Sequence, residues 1–507
     1  MGIDRPRTGK ERMVFLLLVS LATAFAFQGS RGLFETSEGR YAECAREMVE
    51  SGNYMEPTLG YRPHWTKPPV TYWVIAAGIR MFGSSEWAVR FFHALALVAT
   101  VGMLYWIGRT AWDAHTGWIA ACIYATSPLA VFGAFTLTTD ALLTLWEVAA
   151  AGCFVRAAVE KDIQRSRCWI HAMWGFFGLG FLTKGPPALL PLLPLLAWRL
   201  LSGRRFPVAT VLGLGLFGFV GFSWYLLVTA RNPDLFGYFI GEEILGRIRS
   251  NQVHNPEWYK PFTLYLPVIV FAIGPWLYGW IRGLRTPWKN PFRRFVEDLR
   301  LSGFASLMVL WIALPLLIFS MVKSRLPLYL LPLTAPLALL SARGICRDRS
   351  KAVTRRRVGW IALLTAALLV GLKGGAAYIP HSDNMAQLHS FLKAFSDDRP
   401  LRVASFVGGK KLYGLQYYLN GNLQRLTWNG EETYADASLG KYLKSLPISG
   451  SSAFSTMVVH PKYDKELQLI LARYRVSFQE AEGRFWNLYH VSAEPAAETI
   501  LFRKAGS

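Results

Sequence analysis

Charged side chains that could do chemistry lie in the stretches between long apolar runs. One group, within residues 30–87, consists of Glu35, Glu38, Arg40, His64 and Lys67. Cations can hold a phosphate group while a carboxylate takes the proton of an attacking hydroxyl. Beside apolar segments, this combination suits a substrate whose phosphate is attached to a lipid.

Other charged residues stand near the ends of apolar runs further along the chain. Asp140 follows two threonines near the outer end of one run, where an ionised carboxylate is costly unless it faces a partner or a wet cavity. Lys184 and Arg325 lie at two later boundaries. Residues 231–260, which are predicted below to lie outside the membrane, add a second charged group. It consists of Glu242, Glu243, Arg247, Arg249, His254 and Glu257. Taken singly, the arginines are equally well explained as salt bridges or snorkelling side chains.

The composition indicates what kind of chain must position these residues. Of 507 residues, 52% are hydrophobic and only 17% are charged, and the mean hydropathy is +0.25. The 55 Lys and Arg residues exceed the 33 Asp and Glu residues, which gives a net charge of +22. So much apolar surface disfavours a soluble enzyme or a disordered chain. Five cysteines are too few for a disulfide scaffold.

Apolar runs of about the length that a bilayer requires predict an all-α polytopic membrane domain. The runs are 13–29, 88–108, 115–131, 135–155, 169–183, 186–201, 207–230, 261–281, 301–322, 327–343 and 358–378. Several are short or contain proline, so the count is about eleven, with an upper limit near thirteen. Residues 68–83 are also apolar and are predicted to lie in the membrane interface.

The distribution of Lys and Arg predicts the orientation in the membrane. With a cytoplasmic N-terminus, the inside segments hold 25 of the 55 basic residues, including three consecutive arginines at 355–357. The segments 30–87, 231–260 and 379–507 are then outside. The charge is thereby explained by topology, and no nucleic-acid partner is expected. A cleaved signal peptide is the alternative for the N-terminus, but the continuous apolar run disfavours it.

Two domains are predicted: a membrane domain over residues 1–378 and an extracytoplasmic α/β domain over residues 379–507. The second has mixed polarity and no run of spanning length. Its expected strands are Leu401–Val407, Ser455–His460 and Phe485–Ser492, and its expected helices are Asn384–Phe395 and Asp464–Tyr474. It carries no recognisable catalytic motif, so it is predicted to cap the membrane domain or to recognise an acceptor.

The first outer stretch predicts an interfacial helix. Ser37 can cap a helix from about Glu38 to Ser51, which Gly52 would end. An apolar stripe opposite several charged residues suits a helix that lies on the bilayer surface. The apolar stripe consists of Tyr41, Ala45, Met48 and Val49, and the polar face of Glu43, Arg46, Glu47 and Glu50.

Four motifs, in this order, resemble those of the polytopic GT-C glycosyltransferases, in particular the lipid A aminoarabinose transferases and the protein O-mannosyltransferases. Residues 37–48 begin Ser-Glu-Gly-Arg-Tyr-Ala-Glu and resemble the family's first-loop signature. Residues 64–73, with Lys67 before two prolines, resemble its Glu-Lys-Pro segment. Residues 182–186 and 324–329 match two further landmarks. The resemblance extends over about residues 30–345.

The resemblance implies a transferase that takes a sugar from a polyprenyl-phosphate donor at the outer face of the inner membrane. In a single inverting displacement, the acceptor hydroxyl would attack the sugar and the lipid phosphate would leave. Catalytic roles are implied for Glu38, Glu35 and Asp140. Contacts to the lipid phosphate or sugar are implied for Arg40, Tyr41, Lys67, Lys184, Glu243, Arg247, Arg325 and Tyr329. The expected partners are membrane lipids, the donor, and a lipid, glycan or protein acceptor.

Three positions depart from the family pattern. Ser37 occupies the first acidic position of the first-loop pair, so the base is Glu38, Glu35 or another group; the place of Glu38 at a helix start favours it slightly. Thr66 replaces the glutamate of the Glu-Lys-Pro segment, and Glu243 occupies the outer-loop histidine position. No cofactor is therefore assigned; a divalent metal stays an open alternative, although the family-type ligands are not retained. A phosphate leaving group needs cations more than it needs a metal.

Two other classes of function are considered. A transporter or lipid flippase would also have many spans and intramembrane charge, but no internal repeat is found and the charges lie in outer stretches. A non-catalytic binder of lipid-linked sugars would explain the loss of the acidic residue at Ser37. A glycosyltransferase is favoured over both.

Overall fold

The structure is a computed structural model that describes most of the chain. The described residues are 9–35, 37–241, 255–277, 291–301, 303–346, 351–396, 402–406, 410–428, 435–446 and 455–493. The chain divides into two compact units. We call residues 1–30, 48–58 and 63–376 the helical unit, and residues 31–47, 59–62 and 377–507 the sheet unit.

Apolar sequence with few breaks makes the first half of the chain almost entirely helical. Its helices are α1 (Gly9–Phe25), α2 (Ser37–Ser51), α3 (Val70–Phe82), α4 (Glu86–Ala111), α5 (Ala114–Ala125), α6 (Pro128–Phe135), α7 (Asp140–Val159), α8 (Ile163–Lys184), α9 (Leu192–Leu201) and α10 (Val211–Arg231). Side-chain oxygens at Ser85, Asp113 and Asp162 accept backbone N–H groups at the starts of α4, α5 and α8.

Helices continue to residue 375 and alternate with shorter turns of 3₁₀ helix. They are α11 (Leu266–Ile273), α12 (Pro291–Arg300), α13 (Phe304–Met321), α14 (Thr334–Ile345) and α15 (Lys351–Gly375). A 3₁₀ helix, Pro327–Leu333, leads into α14. Proline lacks an N–H donor and interrupts regular α-helix, and two prolines lie in this 3₁₀ segment.

Six helices of the described chain are long and apolar enough to cross a membrane, or seven if the bent pair α5 and α6 forms one span. The predicted count of about eleven is therefore not confirmed. Prolines break two of the expected spans into the shorter apolar segments Pro186–Leu201 and Pro261–Trp276. The expected interfacial segment at 68–83 is the helix α3.

Small residues allow the helices of this unit to pack closely. A Cβ added at Gly117 on α5 would lie 2.4 Å from the backbone oxygen of Tyr105 on α4. Such contacts let two backbones approach without a side chain between them, as in other membrane helix pairs. The surrounding core is filled by large side chains, with Trp198 and Trp311 fully buried.

A six-stranded mixed sheet forms the sheet unit. Its strands are β3 (Arg402–Phe406), β4 (Leu423–Thr427), β5 (Ala437–Ser438), β6 (Ser455–Val459), β7 (Val476–Glu482) and β8 (Asn487–Ala493). The spatial order is β5-β4-β3-β6-β8-β7. The first four strands in that order are parallel, and β8 runs antiparallel to β6 and β7. A separate hairpin, β1 (Thr58–Leu59) and β2 (Arg62–Pro63), precedes them in sequence.

Helices cover both faces of this sheet. Alternate residues of β3 point to opposite sides, so Val403 joins one apolar cluster and Ala404 the other. The four helices are α16 (Met385–Phe395), α17 (Tyr413–Tyr418), α18 (Leu439–Lys444) and α19 (Asp464–Arg473). The expected C-terminal α/β sheet is confirmed, and the two expected helices lie within a residue of α16 and α19.

The first-loop helix α2 forms where it was expected, but its surroundings differ. Gly52 follows it with φ of +71°, as a helix-ending glycine does. The polar face of this helix is buried in the protein. Glu43, Arg46 and Glu47 are only 0%, 8% and 1% exposed, because these side chains bond to one another and to the β1–β2 hairpin.

Candidate functional site

The candidate residues fall in both units and are described unit by unit. In the helical unit, Asp140 is the first residue of α7 and Lys184 is the last residue of α8. Three residues connect the two helices, so they run antiparallel and these ends meet. The Lys184 Nζ lies 2.5 Å from the Asp140 Oδ1, and the two side chains are 11% and 9% exposed. The structure thus joins two of the predicted residues in one buried ion pair.

The helix ends favour both charges of this pair. A carboxylate is stabilised at a helix N-terminus and an ammonium at a C-terminus, which is how Asp140 and Lys184 are placed. Tyr329 joins them from the 3₁₀ helix Pro327–Leu333, with its ring centroid 4.8 Å from the Lys184 Nζ. Glu147, two turns along α7, is buried at 3% exposure. The result is a charged cluster within an apolar unit.

Arg325 is placed differently from Lys184, because its guanidinium is engaged with backbone. It donates to the carbonyls of Asn255 at 2.9 Å, Glu257 at 3.1 Å and Ser320 at 2.9 Å. In return, Asn255 Nδ2 donates to the Arg325 carbonyl at 3.0 Å. Arg325 thereby fastens the segment at 255–257 to the chain before Tyr329. The predicted residues Glu243 and Arg247 lie outside the described residues.

Lys67 and the departing residue Thr66 also belong to the helical unit. Lys67 is half-buried and stands before Pro68-Pro69, at the start of α3. The Thr66 hydroxyl lies 2.8 Å from the His64 Nε2. At the position where the Glu-Lys-Pro segment has a glutamate, this chain therefore has a threonine hydroxyl that is hydrogen-bonded to an imidazole.

Glu38, in the sheet unit, is held in a bidentate ion pair that the sequence reasoning missed. Arg31 donates to its two carboxylate oxygens at 2.5 and 3.0 Å, and the Phe34 N–H donates at 3.0 Å. The Glu38 side chain is 2% exposed. Its oxygens are therefore occupied by three donors, and Arg31 balances its charge.

Glu35 has a different environment in the same unit. Its Oε2 accepts the N–H of Gly414 at 3.0 Å, while its Oε1 is buried with no hydrogen-bond partner among the described residues. Burial raises the pKa of the Glu35 carboxyl, although backbone N–H groups at Gly414 and Tyr413 oppose this. A buried carboxyl with a raised pKa and one unbound oxygen is suited to accept a proton.

Arg40 and Tyr41 follow on the next turn of α2. Arg40 is half-buried, and its guanidinium carbon lies 5.5 Å from the centroid of the Tyr41 ring. Tyr41 is 4% exposed. The structure therefore brings together Arg40 with Tyr41 in the sheet unit, and Asp140 with Lys184 and Tyr329 in the helical unit.

The glycine of the first-loop motif has a packing reason. A Cβ added at Gly39 would lie 2.3 Å from the backbone nitrogen of Gly414 and 2.5 Å from its Cα. Because this neighbour is backbone, it cannot rotate away as a side chain would. The close approach of Gly39 to Gly414 also places the N–H that binds Glu35.

We expect Gly39→Ala to destabilise the protein by about 1–3 kcal/mol, the usual cost of overpacking. Thermal unfolding of the detergent-solubilised protein measures the loss. The matched control is Gly102→Ala in α4, where nothing lies within 4 Å of the added Cβ. The control is expected to be neutral or stabilising, because alanine is the better helix former. Equal unfolding temperatures for both variants would contradict the packing argument.

A second buried acid gives the sheet unit a pH-dependent stability. Glu43 bonds to Arg46 at 2.7 and 2.8 Å, with Glu47 one turn away. Burial raises the pKa of Glu43 from its ordinary 4.5 to about 7, Arg46 opposes the shift, and Glu47 adds to it. The folded protein then binds a proton that the unfolded chain lacks between pH 4.5 and about pH 7.

Stability from this group is complete below pH 4.5 and is lost as the pH rises through about 7. We expect the loss to be on the order of 3 kcal/mol at most, since each pKa unit corresponds to about 1.4 kcal/mol. Unfolding midpoints between pH 5 and pH 8 test this in the wild type and in Glu43→Gln. The variant should show a smaller pH dependence, and an unchanged dependence would rule out Glu43 as its source.

The described residues offer no ready metal site. No group of three or more His, Cys, Asp or Glu side chains among them could hold a metal ion. The chemistry available from the described clusters is that of carboxylates, cations and phenols.

The chain is similar in sequence to known glycosyltransferases. A family model described as dolichyl-phosphate-mannose-protein mannosyltransferase matches residues 66–226. The undecaprenyl phosphate-alpha-4-amino-4-deoxy-L-arabinose arabinosyl transferase 2 of Sodalis glossinidius is 34% identical over 69% of this chain and 63% of the relative. The enzyme of the same name from Proteus mirabilis is 30% identical over 74% of this chain and 68% of the relative. The chain thus spans about three fifths of the length of the Sodalis relative.

Solved structures define the class of fold. ArnT from Cupriavidus metallidurans bound to undecaprenyl phosphate superposes with a TM-score of 0.77 at 19% identity, over 95% of this chain and 98% of that one. The oligosaccharyltransferase of Archaeoglobus fulgidus gives a TM-score of 0.51 at 11% identity, over 97% of this chain and 75% of that one. The fold is that of the GT-C glycosyltransferases. Within that class, the chain belongs to the aminoarabinose transferase family.

Proposed function

We propose that this protein is a membrane glycosyltransferase that moves a sugar from a polyprenyl-phosphate donor to a lipid, glycan or protein acceptor. The acceptor oxygen bonds to the anomeric carbon while the bond from that carbon to the phosphate oxygen breaks. The carbon inverts, the lipid phosphate leaves with the bonding electrons, and a carboxylate takes the hydroxyl proton. The relatives' name favours 4-amino-4-deoxy-L-arabinose as the sugar and undecaprenyl phosphate as the carrier. Lipid A is then the favoured acceptor.

The observation that carries this proposal is the ion pair between Lys184 and Asp140. An ammonium held 2.5 Å from a carboxylate, at the end of two packed helices, is fixed in position before substrate arrives. Preorganised charge of this kind stabilises a leaving phosphate without reorganising during the reaction. In this role Asp140 acts through Lys184, which it positions, and Tyr329 supports the same ammonium.

The remaining cations are assigned to the lipid phosphate and the sugar by the family resemblance. Arg40 and Lys67 bind phosphate oxygens, as expected from the motifs that contain them. Tyr41, Glu243, Arg247 and Arg325 complete the proposed substrate-binding set. The contacts of Arg325 with backbone carbonyls favour a role in shaping the segment at 255–257.

Glu35 is the better candidate for the base when its contacts are set beside those of Glu38. Arg31 and the Phe34 N–H donate three hydrogen bonds to the two oxygens of Glu38. The Glu35 Oε1 has no partner among the described residues, and burial raises the pKa of this carboxyl. We therefore propose Glu35 as the base and Glu38 as the group that holds Arg31.

The proposed topology keeps the sequence assignment. Residues 1–378 form a catalytic membrane domain with about eleven spans, including short or broken ones. The N-terminus lies in the cytoplasm, and residues 379–507 lie outside the inner membrane. A short apolar helix or a bent pair can complete a span when neighbouring helices satisfy its backbone groups.

Transfer assays on membranes that contain the protein test the proposal. Wild type is given a panel of polyprenyl-phosphate sugars, including undecaprenyl phosphate-4-amino-4-deoxy-L-arabinose, and lipid A as acceptor. We expect a glycosylated acceptor, with a loss of at least tenfold in Lys184→Ala. Movement of the donor between leaflets without any product would instead indicate a flippase. Donor binding without movement or product would indicate a non-catalytic binder.

A further inference from the structure

A cavity lined by both polar and apolar residues opens in the sheet unit, near the starts of three parallel strands. Its volume is about 360 Å³, and Val403 of β3, Leu423 of β4 and Ser455 of β6 contribute to its wall. This volume lies at the lower end of the roughly 300–1,000 Å³ typical of small-molecule sites. The polar groups that line it include Tyr61, Asn422, Gln424, Arg425, Asp436 and Ser455.

The charged groups of the cavity are fixed in place by the protein. The Asp436 carboxylate accepts the backbone N–H of Arg425 at 2.7 Å, and it lies 3.6 Å from Arg62 and 3.9 Å from the Arg425 guanidinium. Arg425 also donates to the Lys411 carbonyl and to the Gln416 amide oxygen. With a side chain 31% exposed, Asp436 still presents carboxylate surface to the cavity.

Tyr61 reaches the cavity from the β1–β2 hairpin in an unfavourable backbone conformation. Gly60 and Tyr61 have φ of +64° and +56°, and the second value is costly for a residue with a Cβ. Glu47 holds this turn by accepting the N–H groups of Gly60 at 2.7 Å and Tyr61 at 3.1 Å. Two-residue hairpin turns of type I′ require positive φ at both positions, and Glu47 fixes where this turn places Tyr61.

A buried network fixes the phenol of Tyr61 as well. Arg46 donates to its hydroxyl at 3.1 Å while it holds Glu43 with its other donors. Gly421, at φ of +86°, lets the phenol approach, because a Cβ there would lie 2.3 Å from the Tyr61 oxygen. Tyr61 is nevertheless 56% exposed.

We propose that this cavity binds a saccharide ring. Sugar hydroxyls both donate and accept hydrogen bonds, and the cavity offers a carboxylate acceptor, a guanidinium, two side-chain amides and hydroxyl groups. A half-exposed aromatic ring beside them suits the apolar face of a pyranose. Pockets with a few fixed polar groups of this kind are typical ligand sites.

The binding itself is independent of sugar transfer. Its role as the place where the acceptor's saccharide docks rests on the proposed function. The first outer stretch, through Tyr61, and the C-terminal sheet both line this cavity, so acceptor recognition becomes a task of the sheet unit.

Direct binding to the purified full-length protein in detergent micelles tests the proposal, with no donor present. The probes are N-acetylglucosamine, a neutral sugar, and galacturonic acid, an acidic one, in saturation-transfer NMR titrations. We expect saturable binding of at least one probe. Asn422→Trp places a bulky ring at an exposed position of the wall and should weaken binding at least tenfold.

Gln479→Trp on the exposed face of β7 is the matched control, because it does not line the cavity, and it should bind as wild type does. Asp436→Asn, which removes one charge with little change of shape, should also weaken binding. Glu466→Gln, exposed on α19, is its control.

Saturable binding of neither probe, or equal affinity in Asn422→Trp, Asp436→Asn and wild type, would overturn the proposal. Binding that persists in a protein without transferase activity would contradict the proposed function and leave the cavity assignment intact.

Discussion

Replacing Glu35 with glutamine is expected to reduce sugar transfer by roughly 100- to 10,000-fold, the usual contribution of a general base. Glutamine keeps the size of the side chain and an oxygen to accept the Gly414 N–H, but it cannot take a proton. Initial rates with saturating donor and acceptor measure the effect. Because burial raises the pKa of Glu35, the wild-type rate should fall as the pH drops and this carboxyl becomes protonated.

Glu38→Gln is the matched control for this experiment. It leaves Arg31, whose side chain is 9% exposed, opposite a neutral group. An uncompensated buried charge typically costs about 3–5 kcal/mol, so this variant should unfold at a lower temperature. Its rate per folded molecule should stay within about tenfold of wild type, less than the loss of a general base would give. Full activity in Glu35→Gln would contradict the assignment, and full activity in both variants would place the base on another group.

The second large effect is expected at the ion pair of the helical unit. Asp140→Asn leaves the Lys184 ammonium without its carboxylate at 2.5 Å, and we expect a loss of about 3–5 kcal/mol in unfolding free energy. Lys184→Met should cost a similar amount, because the carboxylate is then the buried charge. Unfolding in denaturant measures both variants.

The double variant Asp140→Leu/Lys184→Met separates stability from catalysis. Apolar replacement of a whole buried pair is often neutral or stabilising, so the double variant should regain most of the lost stability. Transfer should nevertheless remain at least tenfold below that of wild type, because the ammonium that stabilises the leaving phosphate is gone. Recovery of transfer together with stability would show that the pair is only structural.

Local sequence signals predicted the first-loop helix but not its burial. Ser37 and Gly52 mark its ends, and the structure has the helix at Ser37–Ser51. The sequence did not indicate that the polar face of this helix is buried, since several of its contacts are distant in sequence. Gly414, which Glu35 and Gly39 both contact, lies more than 370 residues away. Contacts of this range leave no local pattern for sequence reasoning to find.

The two residues of the ion pair in the helical unit could be singled out from the sequence, whereas the number of membrane spans could not be predicted from it. Intramembrane charge is rare enough to draw attention to Asp140 and Lys184, and both were placed near the outer ends of apolar runs. Hydropathy alone does not report where proline breaks a helix, as at Pro186–Leu201.

In the sheet unit, apolar strands were easier to predict than polar ones. Ser455–Val459 is buried along its whole length and was expected as a strand. The strand β4 was missed because its sequence includes Gln424 and Arg425, which read as polar loop. Arg425 is accommodated only because Lys411, Gln416 and Asp436 supply its partners. These partners are supplied by the fold, and the five residues of β4 alone do not indicate them.

The stereochemistry of the transferred sugar tests the central claim most directly. Purified protein is given undecaprenyl phosphate-alpha-4-amino-4-deoxy-L-arabinose and lipid A, and NMR determines the anomeric configuration in the product. A single displacement with a carboxylate base predicts a product in which the sugar is attached in the beta configuration. A product that retains the alpha configuration would contradict the account. The absence of product while the donor remains bound to the protein would also contradict it.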